Sequence, residues 1–310
     1  MYVGKQQNLH EIFRIIESQK TNRMNLPFYI VDVFTKQKYA GNQLAVFLEA
    51  EALTDKQMQE IAREINFAES TFITKLDAEN SAATIRIFTP EHEMKFAGHP
   101  IIGTSWVLMN KIFKHQPEKI TLSVPIGEIP VHQAGDLVWL QAAQPEFLDT
   151  FSAEDFSNFS NLSSADFDDA FPIQEVTTGS AFVIVPVNSK KALENLILDK
   201  TKMNEWLQAN CKTSHRALYF FCLEDTKLSS RMLCIENNQL IEDAATGSAS
   251  TCLQAFLLKY NVPEIQIINH QGEFINRSSQ IYFDGKLENN HFDINIGGKT
   301  QFIAKGEWEV

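Results

Sequence analysis

The sequence predicts an α+β fold of two similar halves, each a curved sheet wrapped around an apolar helix. Three observations predict it. Two stretches share one design: Phe96-Ala-Gly-His-Pro-Ile-Ile-Gly-Thr104 precedes apolar Trp106–Phe113, and Asp243-Ala-Ala-Thr-Gly-Ser-Ala249 precedes apolar Ser250–Tyr260. Each reads as a small-residue loop that opens a helix. Those helices are apolar around most of their circumference; Ala249, Cys252, Leu253, Ala255, Phe256, Leu257 and Tyr260 leave the later one little polar face, so other structure must enclose it. The chain before and after them is rich in short strands, and a curved sheet is the natural enclosure.

Along the chain, residues 1–25 read as an N-terminal extension: Leu9, Ile12, Phe13 and Ile16 recur at helical spacing, then a polar stretch interrupts, and Met24 is an alternative start. The first half is expected over 26–145, with the last strand, about 300–310, available to complete it, and the second over 146–299. Phe28–Phe34 and Leu44–Leu48 are strands separated by the turn at Gly41-Asn42. Thr54 and Gln57 form a capping box, and Met58, Ile61, Ala62 and Ile65 follow at i, i+3, i+4, i+7, which predicts a helix over 54–65. Ala68–Ile73 and Thr84–Phe88 are strands, the second stopped by Pro90. The Phe-, Ser- and Asp-rich region 146–170 reads as the crossing between halves. Strands are expected at Ala181–Val187, Ala217–Leu223, Ile265–Asn269, Gln280–Phe283, Phe292–Ile296 and Gln301–Ala304, and helices near 190–197 and 201–209.

Composition narrows the function. Lys and Arg number 27 against 39 Asp and Glu, for a net charge of −12, which excludes the basic face that nucleic-acid binding needs. No apolar run reaches the roughly 20 residues that cross a bilayer, and the first residues lack a secretory core. Cys211, Cys222, Cys234 and Cys252 have no metal-type spacing and read as reduced thiols. A cytoplasmic protein that uses no membrane, metal or cofactor is expected. Glu91-His-Glu93 lacks zinc-peptidase spacing, and no dinucleotide, phosphate-loop or nucleophile-elbow motif is present. The paired loops point instead to a small carboxylate, because two helix N-termini offer free N–H groups and positive dipole ends.

An ordered set of segments carries a family resemblance: Val31-Asp-Val-Phe-Thr35, Gly41-Asn42, Ala68-Glu-Ser-Thr-Phe72, Arg86-Ile-Phe-Thr-Pro90, Glu93, Phe96-Ala-Gly-His-Pro100, Gly103, Asp243 through Ala249, Gln271-Gly272 and Arg277. The chain resembles the PhzF-like family, the phenazine-biosynthesis isomerases, from Leu26 to the C-terminus. The resemblance implies two pseudo-symmetric domains, each a barrel-like, mostly antiparallel sheet around a central helix, as in diaminopimelate epimerase. It also implies a cofactor-free site in the cleft between them and, commonly, a homodimer. Two departures stand out: Ala244 where the family usually has Pro, and Pro100-Ile101 where it often has Ala-Thr, which predicts a more apolar pocket wall near Ile101.

By this resemblance Glu69 aligns with the catalytic carboxylate. A lone Glu in a strand more often faces water; buried, its pKa rises and it can take a proton from carbon and return it. His99 either donates to the substrate or tunes Glu69, and Asp243 orients a polar group of the substrate or shares a proton with His99. Outside the family pattern both would read as helix-end residues. Ser248, with the N–H groups of Gly98 and Gly247, is expected to hold the substrate carboxylate. Two-base racemases of the related fold carry a thiol at each loop. Phe96–Thr104 has no Cys, and Cys252 reads as a core residue. The expected activity is a cofactor-independent proton shift in a small, cyclic carboxylic acid, with an epimerase or racemase and a non-catalytic metabolite-binding protein as the alternatives.

Overall fold

A computed structural model describes residues 24–211, 217–236, 238–261 and 263–310. The helical spacing noted at Leu9–Ile16 lies outside them. The first half contains β1 (Asn25–Val33), β2 (Asn42–Phe47), β3 (Glu69–Asp77), β4 (Ala82–Phe88), β5 (Glu93–Met94), β6 (Lys119–Val124), β7 (Gly127–Ala134) and β8 (Leu137–Gln141), with helices α1 (Asp55–Ile65) and α2 (Gly98–Val107). The second contains β9 (Glu146–Phe151), β10 (Ile173–Thr177), β11 (Ala181–Pro186), β12 (Ala217–Glu224), β13 (Lys227–Glu236), β14 (Gln239–Asp243), β15 (Glu264–Gln271), β16 (Ser279–Glu288) and β17 (His291–Gly298). Its helices are α3 (Ala153–Ser157), α4 (Lys190–Glu194), α5 (Lys200–Asn210) and α6 (Gly247–Tyr260); β18 (Thr300–Glu309) closes the chain.

The two halves repeat one topology. In the first, the order is β18-β1-β2-β3-β4-β6-β7-β8; in the second, β9-β10-β11-β12-β13-β15-β16-β17. Each is antiparallel except for two pairs: β2 with β3 and β4 with β6, then β11 with β12 and β13 with β15. Parallel neighbours need a crossover, and the crossovers are helical. α1 spans the first, α2 the second, α4 and α5 the third, α6 the fourth. β5 pairs antiparallel with the end of β4, and β14 with the end of β13. β8 pairs with β17, which joins the halves into one sheet of eighteen strands. The C-terminal strand crosses back to lie on β1, where Asn25 faces Glu309. Thus β1 starts inside the segment read as an extension.

Local chemistry explains the elements. Thr54 and Gln57 form the expected capping box on α1, which lays Met58, Ile61 and Ala62 over Phe47, Phe72 and Phe88. Phe47 and Phe72 stack at 4.9 Å between centroids. α2 and α6 are enclosed as their composition demands, and the principal core surrounds both. Two expectations are corrected here. The helices begin at Gly98 and Gly247, so the small-residue stretches form their first turns rather than preceding loops. The first helix ends early, with a π-turn over Leu108–Ile112. The crossing region also contains β9, which pairs with β10.

Candidate active site

The small residues at the two helix starts allow a close approach between halves. A Cβ on Gly98 would stand 3.1 Å from the Gly247 Cα and 3.2 Å from the Ser248 nitrogen, so α2 and α6 meet at their N-termini only because both positions are glycine. Neither Ala97 nor Thr246 caps its helix with a side chain, and Pro100 in the first turn of α2 has no N–H. Two positive dipole ends therefore converge at one place.

Beside this junction lies a cleft of about 660 Å³ lined by Asn42, Glu69, Phe96, Asp243, Thr246 and Ser248, among others. A smaller cavity of about 310 Å³ is lined by Gly98, Gly247 and Ser248, with apolar Ile129, Leu140 and Ile296. Ser248, Phe96, Met94 and Ser180 line both. Ile101 is fully buried and lines neither, so the expected apolar change to the pocket wall does not occur; Ala244 does line the cleft.

Glu69 opens β3, an interior strand, with β2 on one side and β4 on the other. Its side chain is 18 % exposed and its Oε2 lies 3.3 Å from the His99 Nδ1. Burial, then the nearby Asp243 and Glu236, raise its carboxyl well above the ordinary range. His99 is 3 % exposed and lines neither cavity, so it backs Glu69. Burial pushes its imidazole down to about 3, against an opposing hydrogen bond with the backbone of Gln43, so its contact with Glu69 is that of a neutral imidazole rather than an ion pair.

Asp243 ends β14. Its Oδ1 accepts from the Asn42 Nδ2 at 2.8 Å and its Oδ2 from the Thr246 hydroxyl at 2.6 Å. Burial pushes Asp243 up to about 6, and those two donors pull against the rise. Asn42 stands between Asp243 and His99. Its second amide hydrogen goes to the Ala245 carbonyl at 3.0 Å, so the 3.4 Å approach to the His99 Nδ1 has no hydrogen left to share.

Asn42 is held in turn. Arg277 donates to the carbonyls of Gly41 and Ala40 and to the Asp32 carboxylate at 2.7 Å, while Asp32 accepts from the Tyr39 N–H. Gly41 has φ of 70°, and a Cβ there would meet the Val33 carbonyl at 2.3 Å. Sequence reasoning counted Gly41-Asn42 and Arg277 in the family pattern without giving them a function, and it passed over Thr246 and Glu236. Spacing could not reveal Asn42 and Arg277, whose partners lie far away in the chain, whereas Thr246 sits only three residues from Asp243.

The thiols stand as follows. Cys252 is buried in α6 with its Sγ 3.5 Å from the Ser180 carbonyl, and burial pushes it up to about 11. Cys234 does line the cleft, yet burial, then the nearby Glu236 and Asp243, push its thiol up as well. Among the cleft's other acids, Glu242 is paired with Arg231 at 2.6 Å.

Comparison with known proteins agrees with this geometry. A family model for phenazine biosynthesis-like proteins, PhzC-PhzF, matches residues 31–306. The chain is 33 % identical to a trans-2,3-dihydro-3-hydroxyanthranilate isomerase of Pseudomonas aeruginosa over 90 % of this chain and 98 % of that protein. It is 29 % identical to an uncharacterised isomerase of Pasteurella multocida, covering 91 % and 96 %. A solved PhzF-family protein of Bacillus anthracis superposes with a TM-score of 0.82 at 24 % identity, covering 93 % of this chain and all of that one. A hydroxyproline epimerase of Agrobacterium vitis shares the fold at a TM-score of 0.62 and 11 % identity, covering 94 % and 93 %. The fold is the epimerase-like one, and the chain belongs to the PhzC-PhzF family of phenazine biosynthesis-like proteins and is an isomerase.

Proposed function

We propose that this isomerase moves a proton within a small, cyclic carboxylic acid, without a cofactor, and that Glu69 is the acid and base for both transfers. The observation that carries the reading is a cleft-facing carboxyl whose burial raises its proton affinity, set against a neutral imidazole and beside a second carboxylate. Such a group is a stronger base than a solvated carboxylate. Once protonated, it is an acid within reach of a neighbouring carbon of the same ligand.

The substrate carboxylate would lie at the junction of α2 and α6, against the Ser248 hydroxyl and the N–H groups of Gly98 and Gly247. That placement turns the ring toward Glu69 and a polar substituent toward Asp243. Conjugation with the carboxylate delocalises the charge left when the proton departs, and the helix N-termini stabilise it. The Pseudomonas aeruginosa relative is named for a partly reduced ring bearing carboxylate, amino and hydroxyl groups, which suits this arrangement. An epimerase with a thiol on each face of the carbon is disfavoured, because Cys252 lines neither cavity and burial keeps it a thiol.

The test is turnover of trans-2,3-dihydro-3-hydroxyanthranilate and a panel of cyclic carboxylates in D2O. The expected result is an isomer carrying deuterium at the newly protonated carbon. Loss of optical rotation without a shifted double bond would make the protein a racemase. Binding without exchange across the panel would refute proton-shift chemistry.

A further inference from the structure

We infer that Tyr219 and Gln271 are positioning residues, successive links of a one-way hydrogen-bond chain that fixes the Thr246 hydroxyl as a donor to Asp243. Asp243 is thereby held as the ionised partner, and the mobile proton of the site resides on Glu69. The inference rests on the reading of Glu69 as the proton shuttle.

The direction of the chain follows from groups whose roles are not adjustable. The Gln271 Oε1 accepts from the Thr246 backbone N–H at 3.1 Å, and its Nε2 donates to the Asp243 carbonyl at 3.0 Å. Those two backbone contacts settle which end of the amide is oxygen. The same Oε1 lies 2.8 Å from the Tyr219 hydroxyl, which must then be the donor. The same Nε2 lies 2.9 Å from the Thr246 Oγ1, which must then accept. Thr246 has one hydroxyl hydrogen, and it goes to the Asp243 Oδ2. Behind Tyr219, the Ser230 hydroxyl donates to its oxygen at 3.0 Å and the Asn269 amide at 2.8 Å, and the Ser250 hydroxyl lies 2.9 Å away.

Every hydrogen in the series therefore points toward Asp243. Tyr219, Ser230, Asn269 and Gln271 are buried inside the second barrel, where an unsatisfied polar group is costly, so the pattern is held rather than averaged. Tyr219 keeps its proton, since burial raises its phenol to about 12. The other carboxylate oxygen of Asp243 faces the Asn42 amide, which can only donate. A proton on Asp243 would weaken these bonds, because a neutral carboxyl is a poorer acceptor than a carboxylate. The Glu69 carboxyl instead faces the neutral imidazole of His99, which offers no positive charge to hold it ionised.

The titratable groups facing Asp243 are Glu69 on β3, His99 on α2, and Cys234 and Glu236 on β13; Arg277 lines the same cleft with its guanidinium on Asp32. None of them is altered by substitutions at Tyr219 or Gln271. The experiment is a carbon-13 NMR titration of the Asp243 carboxyl in the full chain, assigned with Asp243→Asn, in wild type, Tyr219→Phe, Gln271→Met and Thr246→Ser. Each variant is first checked for cooperative unfolding. Tyr219→Phe and Gln271→Met should raise the Asp243 midpoint by about one pH unit, whereas Thr246→Ser, which keeps the hydroxyl, should leave it in place. An unmoved midpoint in folded Tyr219→Phe and Gln271→Met overturns the inference, as does an equal rise in Thr246→Ser. If Tyr219→Phe does not fold, Ser230→Ala removes the donor behind it and must raise the midpoint in the same direction. The titration needs no substrate, so failure of the proton-shift reading shows up separately, as activity retained in Glu69→Gln.

Discussion

Replacing Glu69 with Gln should separate activity from stability. The amide has the same length, and it can meet the Nδ1 of neutral His99, now 3.3 Å from Oε2, as donor or acceptor. What it loses is the exchangeable proton, so the rate should fall by about 10²-fold or more while ligand binding persists. Stability should move the other way. Burial, and then Asp243 and Glu236, raise the Glu69 carboxyl well above 4.5. A raised acid contributes fully to stability below its unfolded pKa, and that contribution is lost as pH rises through the folded value. Each pH unit of the rise costs about 1.4 kcal/mol once both states are ionised. Gln is exempt from that cost, and about 2 °C in Tm per kcal/mol is expected for a chain of this size. The assay is deuterium exchange beside calorimetry at about pH 8 and about pH 4.5. The Gln variant should melt above wild type at the higher pH, with the gap closing at the lower. Wild-type exchange in the variant, or an equal fall in Tm at both pH values, would refute the assignment and make Glu69 a structural partner.

Asp243, raised from 3.8 to about 6, should likewise contribute stability below pH 3.8 that is lost as pH rises through about 6. The loss is about 3 kcal/mol, and urea unfolding of wild type against Asp243→Asn across that window measures it. Cys252→Ala should leave turnover intact and cost about 1 kcal/mol, because it removes one fully buried sulfur from α6; abolished exchange would return thiol chemistry to the site. Gly98→Ala puts a methyl 3.1 Å from the Gly247 Cα, which should cost about 1–3 kcal/mol. Because the clash lies at the two helix N-termini, KM for a carboxylate substrate should rise more than kcat falls. A purely kcat effect would remove the helix junction from ligand binding.

The sequence by itself determined the features that local chemistry controls. The all-round apolar stretches had to be enclosed helices. Thr54 and Gln57 had to start α1, and the repeated small-residue segments had to mark equivalent points of two similar halves. Glu69 and Asp243, which line one cleft, were legible as candidate carboxylates because each belongs to a recognisable segment. Strands β6, β7 and β13 were not legible, since their apolar residues are interrupted by Lys, Ser, Glu and Arg that only pairing partners justify. Nor could helix starts be read from glycines that look like turns. Gly98 and Gly247 begin helices because each must make room for the other, across 149 positions of chain. The same reason hides Asn42 and Tyr219. Asn42 meets Asp243 at a separation of 201 residues, and Tyr219 meets Gln271 at 52. A polar side chain has no meaning for a buried site until its donors and acceptors are matched, and only the folded sheet brings those partners within reach.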